Sequence, residues 1–217
     1  MREFACPACG APGTFQSGIS VYAVCAYCRS MVLRRDAGVE AFGKMAVLPP
    51  DMSPLQIGSR GVFEGLSFAL VGRHKIGWSD GTWNEWFMAT DDGRKGWLAE
   101  AQGFFAVCFE LPWVSDGRTA VNRDLGHWKP VPGEQVNVGL RLFTVVDLKE
   151  AMVLGGEGEL PAVTPCGKKY RVIDLETSDG GFASIEPAGQ QARRVYLGRY
   201  TEWGELHIEN PRSLEGW

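Results

Sequence analysis

Four cysteines near the start of this 217-residue chain restrict its folding more than any other feature. They stand as Cys6-Pro7-Ala8-Cys9-Gly10 and Cys25-Ala26-Tyr27-Cys28, two CxxC pairs with fifteen residues between them. That spacing lies in the range of four-cysteine zinc sites. Zinc takes four ligands in a tetrahedron with Zn–S distances of about 2.3 Å, and a CxxC knuckle presents two thiolates to one side of the metal. Gly10 can take the positive φ that such a knuckle favours. Residues 1–35 are therefore expected to form a zinc ribbon with Cys6, Cys9, Cys25 and Cys28 as ligands. Four thiolates leave no open position for water, so the expected cofactor is structural Zn2+ rather than a catalytic metal. Residues 14–24 read as two short strands hinged at Ser17-Gly18, with Ile19, Val21 and Ala23 on one face. So small a module has little core, and metal would supply on the order of 10 kcal/mol of its folding free energy.

The N-terminus lacks the apolar stretch of a signal peptide, and nothing in the chain approaches the ~18 uninterrupted apolar residues of a membrane span. A cytoplasmic location is expected, where reducing conditions favour metal ligation over disulfides. A net charge of -4 argues against nucleic acid as a partner. Arg29, Arg34 and Arg35 form a small basic edge after the second cysteine pair, most simply read as solvated surface.

Residues 36–54, with Gly38, Gly43 and Pro49-Pro50, read as a linker. Beyond it the pattern is short apolar runs punctuated by glycine and Asp-Gly turns, with almost no helical period. Strands are expected at 61–63, 68–76, 83–90, 96–99 and 104–111, and again at 141–148, 152–154, 170–176, 181–185, 194–200 and 205–208. Asp80-Gly81 and Asp92-Gly93 sit where hairpin turns would fall. The fold class is mainly β: a ribbon followed by two antiparallel meander units, 55–130 and 131–217, arranged as a sandwich or barrel. Residues 170–180 can be laid on 83–93, with nine residues from aromatic to turn aspartate in both. Each then runs on to an acidic residue, Glu100 and Glu186, with a one-residue offset. The match points to two related units.

The first unit carries Gly61-Val-Phe63-Glu-Gly65, Leu70-Val-Gly72-Arg73, Trp83-Asn-Glu85-Trp86-Phe87 and Asp92-Gly93-Arg94-Lys-Gly96-Trp97-Leu98-Ala-Glu100-Ala-Gln-Gly103. The second carries Glu157-Gly158-Glu159-Leu160-Pro161 and Tyr196-Leu-Gly198. This wording resembles the family of domain of unknown function 4178 over roughly residues 55 to 207. Proteins similar to this one are often encoded beside polyamine-synthesis enzymes and membrane-associated proteins, which implies a shared system. The resemblance carries no catalytic residue onto the chain. Phe182-Ala-Ser-Ile185-Glu-Pro departs from the more aromatic ending of relatives.

His74, His127 and His207 are scattered, and no nucleophile elbow, P-loop or HExxH stands in the sequence. Cys108 lies in an apolar run as a small hydrophobe, and Cys166 in a turn. Asp80, Asp91, Asp92, Glu85 and Glu100 gather in the first unit, where aspartate before glycine is chiefly a turn former. The aromatics are denser than usual: Trp78, Trp83, Trp86, Phe87, Trp97, Phe104, Phe105, Phe109 and Trp113 fall within thirty-six residues. Trp83, Glu85, Trp86, Asp92, Trp97 and Glu100 are the expected ligand or partner surface. The leading expectation is a non-enzymatic zinc-ribbon adaptor whose β units bind a protein, a peptide or a membrane-linked assembly. The alternative is a small-molecule binder or enzyme for a polyamine-like cation, using the acidic residues Glu85, Asp92 and Glu100 of the first unit beside aromatics.

Overall fold

The structure, a computed structural model, describes residues 1–48, 51–111, 121, 123, 125, 127–164, 166–187 and 193–213. Pro49, Pro50 and Trp113, singled out in the sequence, lie outside the described residues. Among the described residues there is no α-helix, and none of the kind that crosses a membrane. The N-terminal module has β1 (Arg2–Ala5) paired with β2 (Pro12–Phe15). It continues through β3 (Tyr22–Val24), β4 (Ser30–Arg34) and β5 (Val39–Lys44). The expected hairpin across Ser17-Gly18 is not formed. Instead β2 pairs with β1, while β3 pairs with β4 and with a strand of the second unit. A buried carboxylate accounts for the difference. Glu159 accepts hydrogen bonds from Gln16 N at 2.5 Å, Ser17 N at 3.1 Å and Ser20 Oγ at 2.7 Å, which pins the would-be turn to the second unit. Val39–Lys44, within the stretch read as linker, extends the sheet beside β4.

The first unit is a meander of β6 (Arg60–Phe63), β7 (Leu66–Trp78), β8 (Gly81–Thr90), β9 (Lys95–Ala101) and β10 (Phe104–Glu110). The second repeats it as β11 (Gln135–Val138), β12 (Arg141–Leu160), β13 (Lys169–Glu176), β14 (Gly181–Pro187) and β15 (Arg193–Thr201). The two expected strands at 141–148 and 152–154 are one strand of 20 residues, β12. It continues because it changes partners, pairing with β13 up to Met152 and with β7 from Val153 onward. The expected closing strand at 205–208 is a 3₁₀ turn, Trp203–Leu206, where the Glu205 carboxylate accepts the Glu202 amide at 3.1 Å. Trp78 pairs with Gly81, so Ser79-Asp80 rather than Asp80-Gly81 forms that hairpin turn.

The strands close on themselves. β7 to β10 form one run and β12 to β15 another; β10 pairs with β15 and β7 with β12, giving a ring of eight antiparallel strands. Closure removes the unpaired edges that an open sheet exposes. The two halves share their details as well as their order. Phe63↔Leu66 and Val138↔Arg141 bracket two-residue turns, and each long strand carries an irregularity at the same step, Leu70/Gly72 and Val145/Asp147. Thr90 donates to Asp92 at 2.7 Å before Gly93, and Thr177 donates to Asp179 before Gly180. The β10–β15 ladder is its own image, with Phe109↔Leu197 at its centre. These matches define a pseudo-two-fold barrel of two related units.

Apolar clusters cover both sheet halves. Leu55, Phe63, Phe68, Leu70, Trp86, Met88, Leu98 and Leu206 pack outside the first unit, and Val136, Val138, Phe143, Val145, Ile173, Leu175 and Ile185 outside the second. A third cluster of Tyr22, Val24, Met45, Val71, Phe87 and Leu160 fuses the N-terminal module to the barrel. Close backbone approach marks the seam between β7 and β12, where a Cβ on Gly72 would meet the Glu159 carbonyl oxygen at 1.8 Å. Gly72→Ala is expected to cost roughly 3 kcal/mol or more, at the severe end of single substitutions, read as a lowered urea midpoint.

Candidate functional site

The first site is the cysteine cluster. Two knuckles build it in the same way: the Cys6 carbonyl accepts the Gly10 amide at 2.8 Å and the Cys25 carbonyl accepts the Arg29 amide at 3.0 Å. Gly10 and Arg29 both take positive φ, 74° and 64°. The four Sγ atoms lie within 4.8 Å of one another, with Cys6–Cys28 at 3.7 Å and Cys9–Cys25 at 3.8 Å. A tetrahedron with metal–sulfur bonds of about 2.3 Å has edges of about 3.8 Å. The thiols therefore fit a tetrahedral metal ion. The basic edge beside them is spent within the chain. Arg29 donates to the Ala46 and Gly156 carbonyls, both at 2.7 Å, Arg34 to Ser17 O at 3.0 Å, and Arg35 pairs with Glu40 at 2.8 Å.

The second site is inside the barrel. A cavity of about 1110 Å³ is lined from the first unit by His74, Trp78, Trp83, Glu85, Trp97 and Cys108, and from the second by Lys149, Tyr170, Asp174, Ser184, Glu186 and Tyr196. Alternation along each strand places them there. On β13, Tyr170, Val172 and Asp174 face inward, while Ile173 and Leu175 face the outer core.

The charges in the cavity are unequally satisfied. Lys149 Nζ lies 2.7 Å from Asp174 and 3.1 Å from Asp147, and sits over the Trp78 and Trp83 rings at 5.5 and 6.0 Å. Burial works against its charge, but the two aspartates outweigh that and hold its pKa above the ordinary lysine value. Among the described residues Glu85 has the Trp83 Nε1–H as its one hydrogen-bond donor, at 2.9 Å. Burial first, and then the charge of Asp174, raise it to about 7. Glu186 is pushed well above the carboxylate range by burial and by the charges of Glu85 and Asp174. The charge of Arg194 opposes this rise, but Arg194 pairs with Glu110 at 3.6 Å. His74 stacks on Trp97 at 5.6 Å; burial lowers its pKa to about 4, and its buried Nε2 has no hydrogen-bond partner.

Of the six residues expected to form a surface, the barrel brings three together: Trp83, Glu85 and Trp97 line the cavity. Trp86 and Glu100 lie on the other side of the sheet, where the Glu100 carboxylate accepts Trp86 Nε1, Asn84 Nδ2 and Ser53 Oγ at 2.9, 3.0 and 2.6 Å. Asp92 is in an exposed turn, bound by the Thr90 hydroxyl and paired with Arg94 at 2.7 Å. Sequence reasoning missed Lys149, Asp174, Glu186, His74 and Tyr196 as cavity residues. The signal was the repeat itself. Thr90 and Thr177 fix the alignment, under which Glu186 matches Ala99, not Glu100. The one-residue offset puts Glu100 and Glu186 on opposite faces, since side chains alternate along a strand.

A carboxyl with a raised folded-state pKa favours the fold below its unfolded pKa, near 4.5, and that contribution is lost as pH rises through about 7. Glu85→Gln is therefore expected to match the parent near pH 4.5 and to exceed its unfolding free energy by roughly 1–3 kcal/mol at pH 8. Denaturant unfolding of both proteins at the two pH values measures this.

No curated protein and no solved structure matches the chain. A family model does, described as a domain of unknown function (DUF4178), and it covers residues 56–202, the span from just before β6 to the end of β15. The eight-stranded barrel and its cavity therefore fall within the matched region, and the chain belongs to the DUF4178 family.

Proposed function

We propose that this protein is a small-molecule binder whose barrel encloses a protonated amine. One observation carries the reading: two enclosed carboxylates, Glu85 and Glu186, have no ion-pair partner among the described residues, and they stand in a cavity rich in indole and phenol rings. A buried carboxylate without a cation is costly, and the cost is relieved when a cation arrives. The cavity already shows how an ammonium is held, because Lys149 lies over two indoles and against Asp174. Polyamine-like cations are within this class. Saturating an intact protein with a fitting amine at 100 times its Kd would stabilise it by about 2.7 kcal/mol, a rise of roughly 5–10 °C in Tm. Thermal-shift titration at pH 8 with spermidine, putrescine and primary arylalkylamines is expected to show this rise, and Glu186→Gln to abolish it. No shift with any amine, or equal shifts with carboxylate analogues, would overturn the reading.

In the same proposal the cysteine cluster holds structural zinc. The thiolate set suits zinc, and four sulfur ligands close its coordination shell. Elemental analysis should find one zinc per chain, with Cys25→Ser losing the metal and unfolding at lower temperature; a metal-free parent of unchanged Tm would contradict it. A second reading keeps the ribbon as a docking module for a protein partner. Tyr27, 72% exposed at the tip of the second knuckle, favours it.

A further inference from the structure

The two halves of the barrel have diverged where they face the cavity, and the divergence is directional. Strand pairing makes Trp83 equivalent to Tyr170, Phe87 to Asp174, Trp97 to Ser184 and Ala99 to Glu186. Among the described lining residues the three indoles, Trp78, Trp83 and Trp97, come from the first unit; of the four carboxylates, Glu85 and Glu110 come from the first unit, where Glu110 is exposed, and Asp174 and Glu186 from the second. In the ring of eight strands β8 stands four places from β14, and β9 four places from β13. Trp83 therefore faces the strand of Glu186, and Trp97 the strand of Asp174. The result is a wall that carries the indoles, with Glu85 between Trp83 and Trp97, opposite a wall that carries Asp174 and Glu186.

The acidic wall is only half satisfied from within. Lys149 neutralises Asp174, whereas its counterpart in the first unit is His74, whose low pKa keeps it neutral near pH 7. His74 Nε2, buried at the cavity wall beside Trp97, awaits a polar group. A cavity of about 1110 Å³ also exceeds what a short aliphatic diamine fills, since drug-sized ligands occupy pockets of roughly 300–1,000 Å³.

We infer that the ligand is a flat aromatic amine, its ring laid against the indole wall of the first unit and its ammonium group directed to Glu186 on the wall opposite. This rests on the amine-binding reading and narrows it. Stacked or edge-on aromatic contacts distinguish a flat π-system from a saturated ring of the same size, whereas burial of apolar area alone does not.

The test uses the intact parent protein and isothermal titration calorimetry at pH 8 with four probes: tryptamine, 2-phenylethylamine, 2-cyclohexylethylamine and putrescine. Tryptamine and 2-phenylethylamine are expected to bind about tenfold or more tightly than 2-cyclohexylethylamine and putrescine. Trp97→Ser, which installs the residue of the second unit, is expected to erase that preference. Equal affinity for the phenyl and cyclohexyl amines, or tighter binding of putrescine, would overturn the aromatic assignment and leave amine binding intact. Heats at baseline for all four probes would remove both. The phenyl and cyclohexyl comparison needs no variant, so it decides the question even where Trp97→Ser does not fold.

Discussion

The structure depends on the pairing of β7 with β12. Each unit alone is a meander with two exposed edges, and neither can enclose a volume. The β10–β15 ladder joins them along one side, and Val153–Gly158 running against Gly72–Ile76 shuts the other. One 20-residue strand performs both tasks, leaving β13 where it takes up β7 and ending beside β3 of the N-terminal module. Glycines permit the crowding there. Gly72, Gly156 and Gly158 lie where a Cβ would meet the backbone of the facing strand, with gaps of 1.8, 2.9 and 2.3 Å.

From that closure follows the chemistry inside. Carboxylates on an open sheet would be hydrated and ordinary. Inside a ring of strands they lose water, and their charges act on one another through a poorly screening medium. Glu85, Asp174 and Glu186 come from three strands, β8, β13 and β14, and are raised together. The cysteine cluster lies at the far end of the same chain of contacts. Arg29, next to Cys28, donates to the Gly156 carbonyl, and Gly156 lies against His74, whose ring stacks on Trp97. Ribbon and cavity are thus parts of one packed body.

Much of this was legible in the sequence, and the failures have physical causes. Local signals worked: the cysteine spacing placed the four thiols, and apolar alternation with Asp-Gly turns located most strands within two or three residues. The Tyr170–Asp179 match to Trp83–Asp92 identified the repeat. What failed needed nonlocal information. Lys149-Glu150 interrupts the apolar pattern of β12, so the sequence reads as two strands, yet both residues are accommodated, one inside the barrel with Asp174 and one in an exposed pair with Lys169. Trp86 and Glu100 group with Trp83 and Glu85 because all four stand in the same aromatic-rich run of the first unit, although pleating sends Trp86 and Glu100 to the other face. The three-donor seat of Glu100 shows why that face is structural. Nothing in the sequence could show that Glu159 would draw residues 16–20 out of a hairpin.

The central claim is that the two units form one closed barrel, and amide hydrogen exchange tests it most directly. Amides of 72–76 in β7 and 153–158 in β12 should exchange only through global unfolding, with protection equal to that of the β8–β9 ladder. Exchange at those positions as fast as in the edge strands β5 and β11 would mean that the seam is open, and would contradict both the enclosed cavity and the function drawn from it.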